Sequence, residues 1–394
     1  MKNVRILLLL TLVVVALSLA PKLIFAQTSL DETLQPYLGR YGLPALAVAV
    51  AKNGEIVAAG AVGTRRAGVE IPVSLDDRFH IGSDTKAMTA LLASILAEEG
   101  KLSWNATPAK VFTEFASAMD AGFAKVTLEQ LLSHTSGLPS DNEDIGVVWN
   151  QAQLQEGNLD AMRLFIVREW SKKPLASTPG KRFEYSNMGY IVAGAMIERV
   201  TGTTWDELIV ERVFLPLGLT TAGLGCQSSL GKMDAPLGHA IIDGNTKSFL
   251  AGPNGDNQAI LGPAGIANMS ILDFARWASW NAGQGKRGPA LVRAETVRKL
   301  QTPVIQLTPR SDAQPGTPQI KGGYGLGWGV VEVDFARHPL LHHGGSNGKN
   351  LAHIWVDVEN DLAIVIATNI GGKKAEDAMA PLVRELYAKY ARTL

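Results

Sequence analysis

Residues 43–51 run apolar, the chain breaks at Lys52-Asn53-Gly54, and a second apolar run follows over residues 55–64. An Asn-Gly pair supplies the two positive φ angles of a tight hairpin turn, so this pattern predicts two antiparallel strands. Strand-like runs return at the far end, over residues 324–333, 351–358 and 362–369, the last two joined by the polar Glu359-Asn360-Asp361. Between the two ends the periodicity turns helical. Capping-box spacing at Thr127 to Gln130 and Thr204 to Glu207, and a similar start at Ser270 to Asp273, mark helix N-termini. Residues 87–97 are apolar except for Thr89 and Ser94 and stop before Gly100, which predicts a helix buried on every face.

Strands drawn from both ends of the chain predict one shared antiparallel sheet, with the closing segment 373–392 as a helix covering it. The fold class expected is therefore α+β, with the sheet over about residues 43–82 and 324–394. A large, mostly helical inserted region spans about 83–323, all within one domain over 27–394. Loops rich in Gly, Pro and Asn at 227–262 and 301–323 are places for specificity elements.

Composition narrows the classes further. The 394 residues carry 37 basic and 37 acidic side chains, are 46% hydrophobic and only 19% charged, enough to bury a large core. Disorder and a nucleic-acid-binding composition are excluded as readings. A single cysteine, Cys226, leaves neither an internal disulfide framework nor a cysteine zinc cluster, and is read as packing. Lys2 and Arg5 precede an apolar run over 6–20, and Ile24-Phe25-Ala26 ends in a small residue. This predicts an export leader over 1–26, a periplasmic or secreted mature chain, and membrane attachment only if the leader is uncleaved. Pro21 and Lys22 interrupt the run before the roughly 20 residues a membrane span requires. Without the leader 34 basic groups face 37 acidic ones, a net charge of about −3, and no polyanionic partner is implied.

Ser83 sits at the head of the buried helical segment, where free backbone N–H groups and the positive helix end favour a developing anion. Lys86 follows three positions on, on the same helix face. A serine hydroxyl is a weak nucleophile until a neighbour takes its proton, and a lysine can do so only when neutral, a state that burial promotes. Tyr185 and Asn187, two positions apart after the Pro179-Gly180 turn, can face one cleft. Tyr185 would relay a proton if a nearby Lys86 lowered its pKa, and Asn187 offers a donor and an acceptor to a substrate amide.

A third element, His342-His343-Gly344-Gly345-Ser346-Asn347-Gly348, precedes a strand-like run, and its glycines allow close backbone approach. Adjacent histidines on a strand point to opposite faces, so one of the pair addresses the site. The same residues fit a Gly-x-Ser-x-Gly nucleophile elbow, but chain order excludes it: after Ser346 only His353 remains, and every later acid follows it. No histidine shows helical metal-ligand spacing, so neither metal nor cofactor is expected. His134 is read as structural.

Ser83-x-x-Lys86, Tyr185-x-Asn187 and His343-Gly344-Gly345, in this order, resemble the serine β-lactamase and penicillin-binding protein family in its class C-like branch. Phe79-His80-Ile81-Gly82, residues 131–138 and Gly325-Leu326-Gly327-Trp328 extend the resemblance over most of the chain. It implies a β-lactamase/transpeptidase-like fold and an acyl-enzyme on Ser83, with Lys86 and Tyr185 exchanging the proton and Asn187 orienting the acyl group. The amides of Ser83 and Ser346 would form the oxyanion hole, and His343 and Gly345 would line the substrate. Where class C β-lactamases carry Lys-Thr-Gly, this chain has His343-Gly344-Gly345, replacing a fixed cation by a titratable imidazole expected to shape the pH profile. The resemblance therefore favours hydrolysis of a small ester, amide or peptide, esterase-like or DD-peptidase-like, over a class C-like β-lactamase. A non-catalytic relative binding a cell-envelope ligand is the alternative of another kind.

Overall fold

The computed structural model describes residues 27–252, 254–307 and 321–392. The leader expected over 1–26 and much of the 301–323 loop lie outside the described residues. Among those residues, ten strands form the principal sheet. Four come from the N-terminal end: β1 (Thr28–Ser29), β2 (Ala45–Lys52), β3 (Glu55–Arg66) and β4 (Val69–Pro72). Six come late in the chain: β5 (Ile305–Leu307), β6 (Lys321–Tyr324), β7 (Gly329–Glu332), β8 (Leu340–Ser346), β9 (Leu351–Asp357) and β10 (Leu362–Thr368). Their order is β1-β3-β2-β10-β9-β8-β7-β6-β5, with β4 paired to β3. Only the short β1–β3 pair is parallel. The two ends of the chain meet where β2 pairs with β10, Leu46 opposite Thr368 and Val50 opposite Ile364.

Asn53 and Gly54 adopt φ of 52° and 91°, the double positive φ that the β2–β3 hairpin requires. Both faces of the sheet are covered, and the strands divide their residues accordingly. Leu46, Val48 and Val50, with Ile364 and Ile366, pack under α1 (Asp31–Tyr41) and the C-terminal α5 (Lys373–Tyr390). The alternate residues Ala45, Ala47, Ala49 and Ala51, with Ala363 and Ala367, face the helical region. These alanines leave room for α4 (Ile271–Ala282) to lie directly on β2 and β10, with Trp277 and Phe274 fully buried in the same core.

Inside the helical region, α2 (Thr85–Glu98) is buried from Thr85 to Leu96, as its unbroken apolar pattern predicts. It packs against α3 (Asn187–Thr201), which is buried from Met188 to Glu198. The capping boxes at Thr127/Gln130 and Thr204/Glu207 are both formed, and Ser270 caps α4 by accepting from the Asp273 amide. Fully buried Arg163 pairs with Glu198 of α3 and with Asp206 at 2.8 Å, and donates to the Ile260 carbonyl at 3.0 Å. That one guanidinium ties helices of the insert to the loop that delivers residues 262–265 to the site.

Three features differ from the pattern read along the chain. The run 324–333 is two strands, not one, because Gly327 takes φ +79° and turns the chain between β6 and β7. A Cβ on Gly327 would stand 2.6 Å from Ala87 Cα, so this turn is pressed against the first turn of α2. Residues 78–80 leave the principal sheet and pair instead with Ala267–Ser270 in a small three-stranded sheet. The region 83–323, read as mostly helical, also holds the hairpin Gly238–Ile242/Asn245–Phe249 and, at its end, β5 and most of β6.

Candidate active site

Gly82–Asp84 form a single 3-10 turn that runs into α2, placing a partly exposed Ser83 one turn before Lys86. Lys86 Nζ lies 3.2 Å from Ser83 Oγ. It also donates to Asn187 Oδ1 at 2.7 Å and to the Ala264 carbonyl at 2.6 Å. With three acceptors the amine is held in one place, and it has no exposed surface. Burial lowers the Lys86 pKa to about 7, against the opposing fields of Asp141 and Asp84.

Asn187 opens α3, and its amide is shared between two groups: Oδ1 accepts from Lys86, and Nδ2 donates to Asp141 Oδ2 at 2.6 Å. Asp141 thus sets the amide orientation and lends its charge to the cleft mouth. Sequence reading missed it, as it missed the Ala264 carbonyl, because neither belongs to a motif. The only hint for the latter was the tight Gly262-Pro263-Ala264-Gly265 turn. An amine can act as a base only when neutral, so any turnover that uses Lys86 in that role is expected to rise with pH through a limb near 7 and fall off below it. Asp141→Asn removes a field that raises the Lys86 pKa, so the acid limb of kcat/KM is expected to move to lower pH, read from a pH–rate profile.

The Tyr185 ring centroid lies 4.7 Å from Lys86 Nζ, and Ser83 is near enough to its hydroxyl to bear on the phenol's pKa. The expectation that Lys86 lowers its pKa fails: burial pushes the phenol upward, the Asp84 and Asp141 charges push the same way, and only the Ser83 side chain opposes them. The hydroxyl therefore stays protonated at neutral pH and is suited to donate or relay, not to act as a phenolate base. His134 packs its ring 4.3 Å from that of Tyr185 and accepts from the Ser186 amide at 3.1 Å. Burial holds it neutral, and it props Tyr185 from behind.

His343 faces the site side of β8, while His342 turns to Trp355 on the other face at 3.9 Å between ring centroids. His343 is only 6% exposed, so it is buried beside the site and does not open to solvent. Tyr324 Oη contacts its Nε2 at 3.1 Å, the Gly344 carbonyl its Nδ1 at 3.0 Å, and Asp84 Oδ1 stands 3.6 Å away. Burial, with the Lys86 charge adding to it, lowers the His343 pKa to about 3. The expected imprint of His343 on a neutral pH profile is corrected accordingly: the imidazole does not titrate there. Asp84 moves the other way, its carboxyl raised well above the usual range by burial.

Gly345 and Ser346 close the site. A Cβ on Gly345 would overlap the Ile81 carbonyl oxygen at 1.8 Å and sit 2.8 Å from Ser83 N. Reciprocally, a Cβ on Gly82 would sit 2.4 Å from Ser346 N. The two glycines interlock, bringing the Ser83 and Ser346 amide segments side by side. Ser346 Oγ donates to the Asn350 carbonyl at 2.8 Å and accepts from the Gly348 amide at 3.0 Å, so it serves the turn and is no elbow nucleophile. Gly345→Val presses a side chain into backbone that cannot yield. The expected loss of stability is at or beyond about 3 kcal/mol, checked by chemical denaturation.

Across residues 30–388 the sequence matches the family model described as Beta-lactamase. The chain belongs to the beta-lactamase family. Among curated relatives it is 27% identical over 348 residues to Protein flp of Staphylococcus aureus strain N315, covering 88% of this chain and 64% of that protein. It is 26% identical over 322 residues to Unguisins hydrolase ungD' of Aspergillus campestris, covering 77% of this chain and 57% of that one. The chain thus spans under two thirds of the length of these relatives. The octameric penicillin-binding protein homologue from Pyrococcus abyssi shares its fold, with a TM-score of 0.72, 24% identity, and 90% of this chain and 76% of that one covered. The penicillin binding protein from Bacillus halodurans does so with a TM-score of 0.67, 22% identity, and 89% and 98% covered. Among the described residues of this beta-lactamase family member, no group of His, Cys, Asp or Glu is arranged to hold a metal, and no helix is long and apolar enough to cross a membrane.

Proposed function

We propose that this member of the beta-lactamase family is an exported serine hydrolase that cleaves a small ester or amide through an acyl-enzyme on Ser83. The observation that carries the reading is the buried amine of Lys86, poised near neutrality 3.2 Å from a partly exposed hydroxyl. Lys86 takes the Ser83 proton as Oγ attacks the substrate carbonyl, and the tetrahedral oxyanion is held by the Ser83 and Ser346 amides. Tyr185, packed beside Lys86 and close to Ser83, passes a proton to the leaving group and is reprotonated from Lys86. Water then enters where the leaving group stood, and the same groups run in reverse to release the acid. Asn187, oriented by Lys86 and Asp141, is left to steer the acyl side chain.

The charge of the cleft shapes the substrate. His343 is neutral where the class C motif has a lysine, and the carboxylate of Asp141 stands at the mouth. Neither feature favours a substrate carboxylate, so rapid turnover of β-lactams or of peptides ending in a free carboxylate is not expected. The test is a fluorophosphonate probe mapped by mass spectrometry, alongside turnover of a short-chain aryl ester, a chromogenic cephalosporin and a D-Ala-D-Ala peptide. An adduct on the Ser83 peptide with the ester turned over fastest supports the reading. An unlabelled chain that still binds cell-envelope muropeptides replaces it with a non-catalytic one. Export is tested separately, by whether the mature chain begins at Gln27.

A further inference from the structure

Behind the two amides assigned to the oxyanion hole lies a carboxylate that the proposed chemistry does not use. Asp256 is in the loop that follows the hairpin Gly238–Ile242/Asn245–Phe249, and its side chain is 5% exposed. Two N–H groups donate to its Oδ1, Asn347 Nδ2 at 2.8 Å and the Asn257 amide at 2.7 Å, and His80 Nε2 stands 2.8 Å from the same oxygen. Of these neighbours, His80 and Asn347 lead to the site. His80, with no exposed surface, accepts the Gly82 amide on its Nδ1 at 3.0 Å, and Gly82 immediately precedes Ser83. Asn347 immediately follows Ser346, and its Oδ1 accepts the amides of Lys349 and Asn350 at 3.1 and 2.9 Å, fixing the turn after β8.

We infer that Asp256 is a positioning residue for the oxyanion hole, clamping the Ser83 amide through His80 and the Ser346 amide through Asn347. This inference rests on the serine hydrolase reading. The Gly82–Gly345 interlock limits how closely the two amide segments approach at their contact. Asp256 limits how far they rotate apart, because one oxygen holds a neighbour of each. Oxyanion donors act only within a few tenths of an ångström of their working distance, so a group that sets their spacing changes transition-state binding without touching substrate. Carboxylate charge matters here: an oxygen that accepts two N–H bonds and faces an imidazole nitrogen at 2.8 Å holds all three neighbours more tightly as an anion than as an amide.

The experiment uses the full chain and compares an aryl ester with its thionoester, whose C=S sulfur is a poor guest for an oxyanion hole. Asp256→Asn is expected to lower kcat/KM for the oxoester about 10- to 100-fold, through kcat, with KM little changed. The thionoester rate should fall far less, so the oxo/thiono ratio collapses. Asn347→Asp keeps the acceptor for Lys349 and Asn350 while setting a second carboxylate against Asp256, and carries the same test if Asp256→Asn does not fold. A ratio unchanged from wild type in the folded variant overturns the inference, whether both rates fall together or neither falls. Labelling of wild type separates the two levels. No Ser83 adduct overturns the serine hydrolase reading and this inference with it, whereas a labelled, active wild type whose variants keep the full ratio overturns this inference alone.

Discussion

A Ser83→Ala chain should fold, keep its melting temperature within a few degrees, and lose both covalent labelling and turnover, with kcat reduced about 10⁶-fold. The hydroxyl is not what builds the turn. The Asp84 amide bonds back to the Ile81 carbonyl, and the Thr85 hydroxyl donates to the Gly82 carbonyl at 2.7 Å while accepting the Ala267 amide at 3.1 Å. Removing Oγ takes one of three acceptors from Lys86 and leaves those at Asn187 and Ala264 in place. Residual activity within tenfold of wild type, in protein free of wild-type contamination, rejects Ser83 as nucleophile.

Lys86→Met is the second large effect, and it separates chemistry from packing. Methionine matches the unbranched stem and fills the buried space, so the helix should survive. The Ala264 carbonyl and Asn187 Oδ1 each lose a donor, which costs about 1–3 kcal/mol per unpaired buried group. Against this, the folded protein no longer has to desolvate an amine. Protonated Lys86 is disfavoured inside, so the native lysine costs stability in full below about pH 7, and that cost falls away as pH rises from about 7 to 10, the range in which the unfolded chain alone still binds the extra proton. Acylation should fall about 10³- to 10⁴-fold, and the acid limb near pH 7 should vanish from what remains. Stopped-flow acylation with an aryl ester reads both, and a variant that retains the limb assigns it to another group.

The features legible in the sequence are those whose cause is local. Asn53-Gly54 dictates its turn whatever surrounds it, and Thr127 with Gln130, or Thr204 with Glu207, satisfy one another within a single helical turn. The apolar run after Ser83 demands burial on every side, which alone placed Lys86 in the interior. What escaped depends on contacts brought in from afar. Gly325-Leu326-Gly327-Trp328 reads as strand because Leu326 and Trp328 are buried, yet Gly327 turns the chain to meet α2. Asp141 reaches Lys86 from a loop, and the Ala264 carbonyl from the single helical turn Gly262–Gly265, too short to show a periodicity of its own. The directions of the Tyr185 and His343 pKa shifts depend on desolvation, which follows from the packed interior and not from neighbours in sequence.

The pairing of β2 with β10 has a consequence in time. Ser83 and Lys86 are made in the first quarter of the polypeptide, but the strand that carries Ser346 has no bed to lie on until residues 362–368 have left the ribosome and closed against residues 46–52. A nascent or prematurely terminated chain would therefore hold its serine and lysine without a completed cleft. Assembly depends on contacts between distant parts of the chain, which favours slow folding, with the proposed active site completed only in the last stage of maturation.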